Sequence, residues 1–359
     1  MAESYVIGVD FGSDSVRALI VNTETGENVG QGVACYPRWK AGLYQHPEHS
    51  IFRQHPLDYL ESLEKCITTA LAELTEEQKD HVIGIGVDTT GSTPVPVDKN
   101  GTPLALLDEF AENENAMFFL WKDHAAAAEA DEINKLFRNN SENDYTKYQG
   151  DYSAEWYWAK ILYAVRHDEA IRQAAYTWEE HCDWMTGILC GETRPEKIYH
   201  SACAAGHKAL WHSEWNGLPA ASVLEQLDPY LVQVRERYGN APQPSTVKVG
   251  TLCPEWAKKL GLKESTVISG SSFDAHAGAV GAGIQKKTFV CTMGTSCVDM
   301  FVEKPENLKG KDIQAYCGQA ENSILPGYVG VETGQAAFGD IFAWFKRLLE
   351  WPLTELAAD

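Results

Sequence analysis

The chain has 359 residues, 44% of them hydrophobic and 23% charged, with a formal net charge of −21. Such a length buries more than one core, so about two domains are expected. The charge repels nucleic acid and anionic membranes, so a phosphate ligand has to be gripped by local groups.

The N-terminus carries no basic stretch before its apolar run, which Asp10 interrupts, and no apolar run reaches the ~20 residues of a membrane helix. A cytoplasmic protein is expected. Nine cysteines, odd in number and without Cys-x-x-Cys spacing, are read as reduced, mostly buried thiols.

Strands are predicted over Tyr5 to Phe11, Val16 to Asn22 and Asn28 to Tyr36, with Thr25-Gly26-Glu27 as a turn. Pro56 opens a helix with Leu57, Leu60, Leu63, Ile67 and Leu71 on one face, and His81 to Asp88 follows as a buried strand. Helices are expected from Ser153 to about Ala175, where the crowded aromatics read as core. After the turn-rich stretch Gly239 to Pro244, a strand is predicted over Ser265 to Gly270. A small-residue helix should follow over Ala275 to Gly283, then an amphipathic helix over Gln335 to Leu349. A domain boundary near Gly270 divides the chain into 1–270 and 271–359, and the second domain is expected to be cut short.

Two similar strand-turn-strand passages stand out: Gly8 to Val21 and Phe289 to Val302. Their turns, with Gly12, Ser13 and Ser15 in one and Gly294, Thr295 and Ser296 in the other, offer N–H groups and hydroxyls to an anion. Together they suit a polyphosphate. No Walker A loop and no dinucleotide fingerprint occurs. Asp274 follows a strand and precedes a helix, a position that suits a helix cap as well as a general base. Asp10 ends an apolar strand, where a carboxylate needs a cation or donors. It reads either as a turn aspartate or as a metal ligand.

These residues carry a resemblance. GVDFGSDSVRA, GVDTTGSTPVPVD, LWKDHA, HCDWMTG, AGHKALW, FDAHAG and MGTS occur in the order seen in the FGGY family of carbohydrate kinases, and the chain resembles the first two-thirds or so of its L-ribulose-phosphorylating subgroup. The resemblance implies an α/β, actin-like ATPase fold of two ribonuclease-H-like domains, the first complete and the second partial. It also implies transfer of the ATP γ-phosphate to the 5-hydroxyl of a ketopentose, in arabinose catabolism.

On this reading Asp274 is the catalytic base, and Asp10 helps hold Mg²⁺ largely through water, as suits an ion that sheds hydration reluctantly. Gly12, Ser13, Ser15, Gly294, Thr295 and Ser296 face the phosphates. Lys208 and Glu332 are chosen for the sugar, because a polyol needs fixed donors and acceptors. Asp88, Trp121 and Asp123 are further candidates for that pocket, while His276 is left without a role. The partner is a small sugar, with neither nucleic acid nor membrane, and self-association is compatible with it. Another FGGY sugar or polyol kinase, such as one acting on xylulose, and an inactive sugar-binding fragment are the alternatives.

Overall fold

The computed structural model describes residues 3–294, 297–308, 311, 318–335 and 338–356. Three antiparallel strands open the chain: β1 (Tyr5–Phe11), β2 (Ser15–Asn22) and β3 (Asn28–Cys35). On β1 the side chains of Tyr5, Ile7, Val9 and Phe11 are buried and the residues between them are not, the period of a strand with one face on the core. Gly26 turns β2 into β3 at a φ of 73°, a conformation that glycine adopts without a steric penalty.

The meander forms one side of a seven-stranded sheet ordered Lys248–Thr251, Val267–Ser269, Val82–Thr89, β1, β2, β3. β1 runs parallel to Val82–Thr89, which sets Asp10 beside Asp88. The short strand Ser272–Phe273 also runs parallel to Val82–Thr89, with Ser272 beside Asp88, and leads directly into the helix Asp274–Gly281. The C-terminal ends of these parallel strands therefore share one edge of the sheet, the edge where open α/β sheets hold ligands. Three aspartates, Asp10, Asp88 and Asp274, arrive there from three separate parts of the sequence.

The helix Pro56–Leu71 covers one face of the meander, with Pro56 in its first turn and the His55 ring accepting the Leu57 N–H. It lies so close to β3 that a Cβ on Gly32 would stand 2.1 Å from the Cys66 carbonyl oxygen. Leu63, Ile67 and Leu71 are buried as the pattern predicts, while Leu57 and Leu60 are half-buried, and Tyr59, Cys66 and Ala70 complete the core face. A second core gathers Tyr145, Tyr152, Trp156, Tyr157, Trp158 and Trp178 around the helices Tyr157–His167 and Glu169–Ala174. Asp168 separates these helices by capping the second, its carboxylate accepting the Ile171 N–H.

A four-stranded antiparallel sheet follows, ordered Val290–Met293, Cys297–Glu303, Val329–Gln335, Gly318–Glu321. Its first two strands form the second hairpin expected from the sequence. The last helix runs Gly339–Leu356, starting later and reaching further than the pattern predicts. Its apolar stripe is uncovered: Phe342 is 63% exposed and Trp351 60%. Among the described residues no helix is long and apolar enough to cross a membrane. Eight described cysteines are free, with Cys66, Cys182, Cys203 and Cys297 buried, and Cys317 lies outside the described residues.

Candidate active site

The first hairpin turn is closed by the Gly12 N–H donating to the Ser15 carbonyl at 3.0 Å, and Tyr36 Oη donates to the Gly12 carbonyl. Ser13 is fixed twice: its carbonyl accepts from Gln54 Nε2, and its Oγ accepts from Trp121 Nε1 at 2.9 Å. Trp121, predicted for the sugar, thus braces the turn predicted for phosphate. Ser15 is buried at the start of β2. In the second turn Gly294 is described and its carbonyl accepts the Gly339 N–H, whereas Thr295 and Ser296 lie outside the described residues.

Asp10 accepts a hydrogen bond from Arg17 Nη1 at 3.0 Å, with its side chain 38% exposed. Burial, then the Asp10 and Asp274 charges, push its neighbour Asp88 well above the ordinary carboxylate range. Asp274 is raised from 3.8 to about 6, first by burial and then by Asp10, against the pull of the Ala275 N–H that Oδ1 accepts at 2.6 Å. The cap position of its helix belongs to Phe273, and no side chain caps that end. A carboxylate poised near neutrality at a strand end has the properties of a proton acceptor.

Lys208 and Glu332 meet as an ion pair. Lys208 ends the helix Ala202–Lys208, Glu332 sits mid-strand in the second sheet, and Nζ lies 2.9 Å from Oε1. The ammonium also stands 5.0 Å over the Trp156 ring and 6.0 Å from that of Phe273. His276, from the Asp274 helix, places Nε2 3.0 Å from the other Glu332 oxygen, and His207 Nδ1 lies 3.6 Å from Oε1. Burial opposes the charge of Glu332, yet Lys208, His207 and His276 outweigh it and hold the carboxyl well below its usual range. Burial likewise opposes a charged His276, but Cys203 and Glu332 raise it to about 10. His207 is driven down to about 3 by burial. From the sequence His276 is left without a role and His207 is not singled out; the spacing of His276 two residues after Asp274, on one helix, was the available signal.

Asp123 has another task. It is fully buried against the Arg53 guanidinium and accepts the Phe52 and Ala125 N–H groups, so both its oxygens are engaged in the scaffold. The structure thus gathers Asp10, Asp88 and Asp274 at one strand edge and Lys208, Glu332 and His276 beside them. Trp121 goes to the first turn and Asp123 to the interior.

The arrangement defines a class: an α/β protein of the actin-like ATPase fold whose parallel sheet edge presents carboxylates. A xylulose kinase from Rhodospirillum rubrum shares the fold with a TM-score of 0.74 at 17% identity, covering 96% of this chain and 63% of that one. A glycerol kinase from Plasmodium falciparum, solved with ADP, superposes with a TM-score of 0.73 at 14% identity, over 95% of this chain and 63% of that one.

Residues 5–281 match the N-terminal domain of the FGGY family of carbohydrate kinases and residues 289–358 its C-terminal domain, so the chain belongs to that family. Among its relatives, a ribulokinase from Vibrio parahaemolyticus is 48% identical over 99% of this chain and 63% of that protein. One from Shouchella clausii is 35% identical over 96% and 60%. The chain spans less than two thirds of the length of these relatives.

Proposed function

We propose that this chain carries the sugar site and the catalytic base of an ATP-dependent ketopentose kinase that converts L-ribulose to L-ribulose 5-phosphate. The observation that carries the reading is the Asp274 carboxylate at the strand edge shared with Asp10, its proton affinity raised to about 6 by burial and by that neighbour. The 48% identity to a protein named ribulokinase supports L-ribulose as the sugar.

Asp274 takes the proton of the acceptor hydroxyl as its oxygen attacks the γ-phosphorus of ATP. The new O–P bond forms in line with the breaking β–γ bridge, and ADP leaves with the bridging electron pair. Ser13 presents its hydroxyl to the phosphates from a turn stiffened by Gln54 and Trp121, and Gly12, whose N–H closes that turn on the Ser15 carbonyl, lets them approach the backbone closely. Lys208 and Glu332 hold sugar hydroxyls as donor and acceptor, with His276 keeping Glu332 ionised. Carboxylate oxygens, partly open to water at Asp10, suit a hard dication, so Asp10 and Asp88 are the residues that would hold Mg²⁺. The ion when bound would neutralise phosphate charge.

Division near Gly270 into a sugar-binding 1–270 and an ATP-binding 271–359 belongs to the same proposal, as do cytoplasmic residence and compatibility with a homo-oligomer. The test is a panel of ketoses and polyols with MgATP, read as ADP release and as phosphorylated product. L-Ribulose should give the highest kcat/KM. Preference for xylulose or glycerol by more than about tenfold overturns the sugar assignment.

A further inference from the structure

Away from that site, Glu179, Asp183 and His200 converge in the interior, each 1% exposed. Glu179 lies on the strand Thr177–Glu180, Asp183 in the first turn of the helix His181–Cys190, and His200 just ahead of the helix Ala202–Lys208. His200 Nδ1 is 3.1 Å from Asp183 Oδ2 and 3.9 Å from Glu179 Oε2. One ligand atom from each residue lies within 4.8 Å of the others.

Two further facts point to a ligand. Both oxygens of Glu179 are buried without a hydrogen-bond partner among the described residues, an arrangement that native interiors avoid. The adjacent charges aggravate it: Asp183 and Glu180 are also acidic, and the nearby buried ammonium of Lys160 is engaged by the carbonyls of Ser92, Phe119 and Leu120. A cation would satisfy these oxygens and offset the crowded acidic charge.

The spacing suits a metal. With bonds of about 2.0–2.2 Å, tetrahedral neighbours stand about 3.4 Å apart, and the two measured separations bracket that value. The ring is already oriented, stacked on Tyr238 with centroids 4.1 Å apart and 18° between planes. Asp183 is oriented as well, its Oδ1 accepting the Ser201 N–H at 2.9 Å.

We propose that Glu179, Asp183 and His200 form a buried site for a divalent first-row transition cation, best matched by Zn²⁺, which ties the base of the helix bearing Lys208 to the domain core. Two carboxylates and an imidazole suit zinc or manganese better than a soft-metal site would. The role is structural, since neither ATP nor sugar reaches residues so enclosed.

The chain, stripped with a chelator, is titrated with Zn²⁺ and Co²⁺ while metal content and unfolding temperature are followed. One equivalent should bind and raise the unfolding midpoint by several degrees, and Co²⁺ should show d–d bands without thiolate charge transfer. Because loss of an outer-shell partner alone weakens a site about 10- to 100-fold, Glu179→Gln and His200→Gln should each weaken binding at least about 100-fold. Glu332→Gln, which alters the other buried histidine cluster, should leave it unchanged. If Glu179→Gln fails to fold, His200→Gln and the cobalt spectrum decide. No stoichiometric binding, thiolate bands, or a loss caused by Glu332→Gln but not by His200→Gln would overturn the proposal.

Discussion

Replacing Glu332 by Gln keeps its shape and removes the one negative charge that Lys208 and His276 share, beside a His207 ring that burial keeps neutral. Lys208 is 9% exposed, Glu332 5% and His276 2%, so solvent cannot take over the lost partner. Breaking a buried pair from one side costs about 3–5 kcal/mol, since an uncompensated charge remains. The pH dependence carries a sign of its own. The folded-state pKa of His276 stands at about 10, above its ordinary 6.5. Its contribution to stability is therefore fully present below pH 6.5 and lost as pH rises through 10.

Urea unfolding of the wild type should show that decline, and Glu332→Gln should flatten it while lowering stability near neutrality. Adding Lys208→Met should recover part of the loss, with a coupling of about 1–3 kcal/mol. A single-variant loss under about 1 kcal/mol, with coupling below about 0.5 kcal/mol, would refute the view of this cluster as desolvated and mutually dependent.

Asp274 carries the opposite sign: a carboxyl raised from 3.8 to about 6 disfavours folding progressively as pH climbs between those values. That rise corresponds to about 3 kcal/mol at neutral pH, so Asp274→Asn should stabilise the chain in urea at pH 7, and kcat/KM should have an acid limb centred near pH 6. Gly32→Ala drives a methyl to 2.1 Å from the Cys66 carbonyl oxygen and should cost about 1–3 kcal/mol or more, whereas Gly8→Ala, with nothing within 4 Å, should cost under about 1 kcal/mol; both are read by urea midpoints. Asp123→Asn leaves the buried Arg53 guanidinium uncompensated, so about 3–5 kcal/mol of stability should be lost. L-Ribulose affinity, measured by calorimetry at a temperature where the variant is folded, should change little.

Much of the fold was legible because the signals are local. Alternation in Tyr5–Phe11, the proline opening Pro56–Leu71 and the turn at Gly26 each fix an element from its own residues. Asp10 and Asp274 were legible as residues that end strands, and pairing with Val82–Thr89 then joins them at one edge. What could not be read were partners distant in sequence. Asp123 looks like any polar residue beside Trp121 until Arg53, on another strand, is brought against it. Glu332 gains its low proton affinity only when the second sheet meets the helix of Lys208 and the helix of His276. The stripe on Gly339–Leu356 was legible as amphipathic, but a pattern within one helix does not say what covers it.

The most direct test is single-turnover phosphoryl transfer from MgATP to L-ribulose by the wild type and by Asp274→Asn, with sugar affinity measured alongside by calorimetry. Asn keeps the size and hydrogen bonding of the side chain while removing proton acceptance. The transfer rate should fall about 100- to 10,000-fold with the L-ribulose Kd nearly unchanged. A fall of less than about tenfold would contradict the assignment of Asp274 as the base, and with it the account of how this strand edge acts.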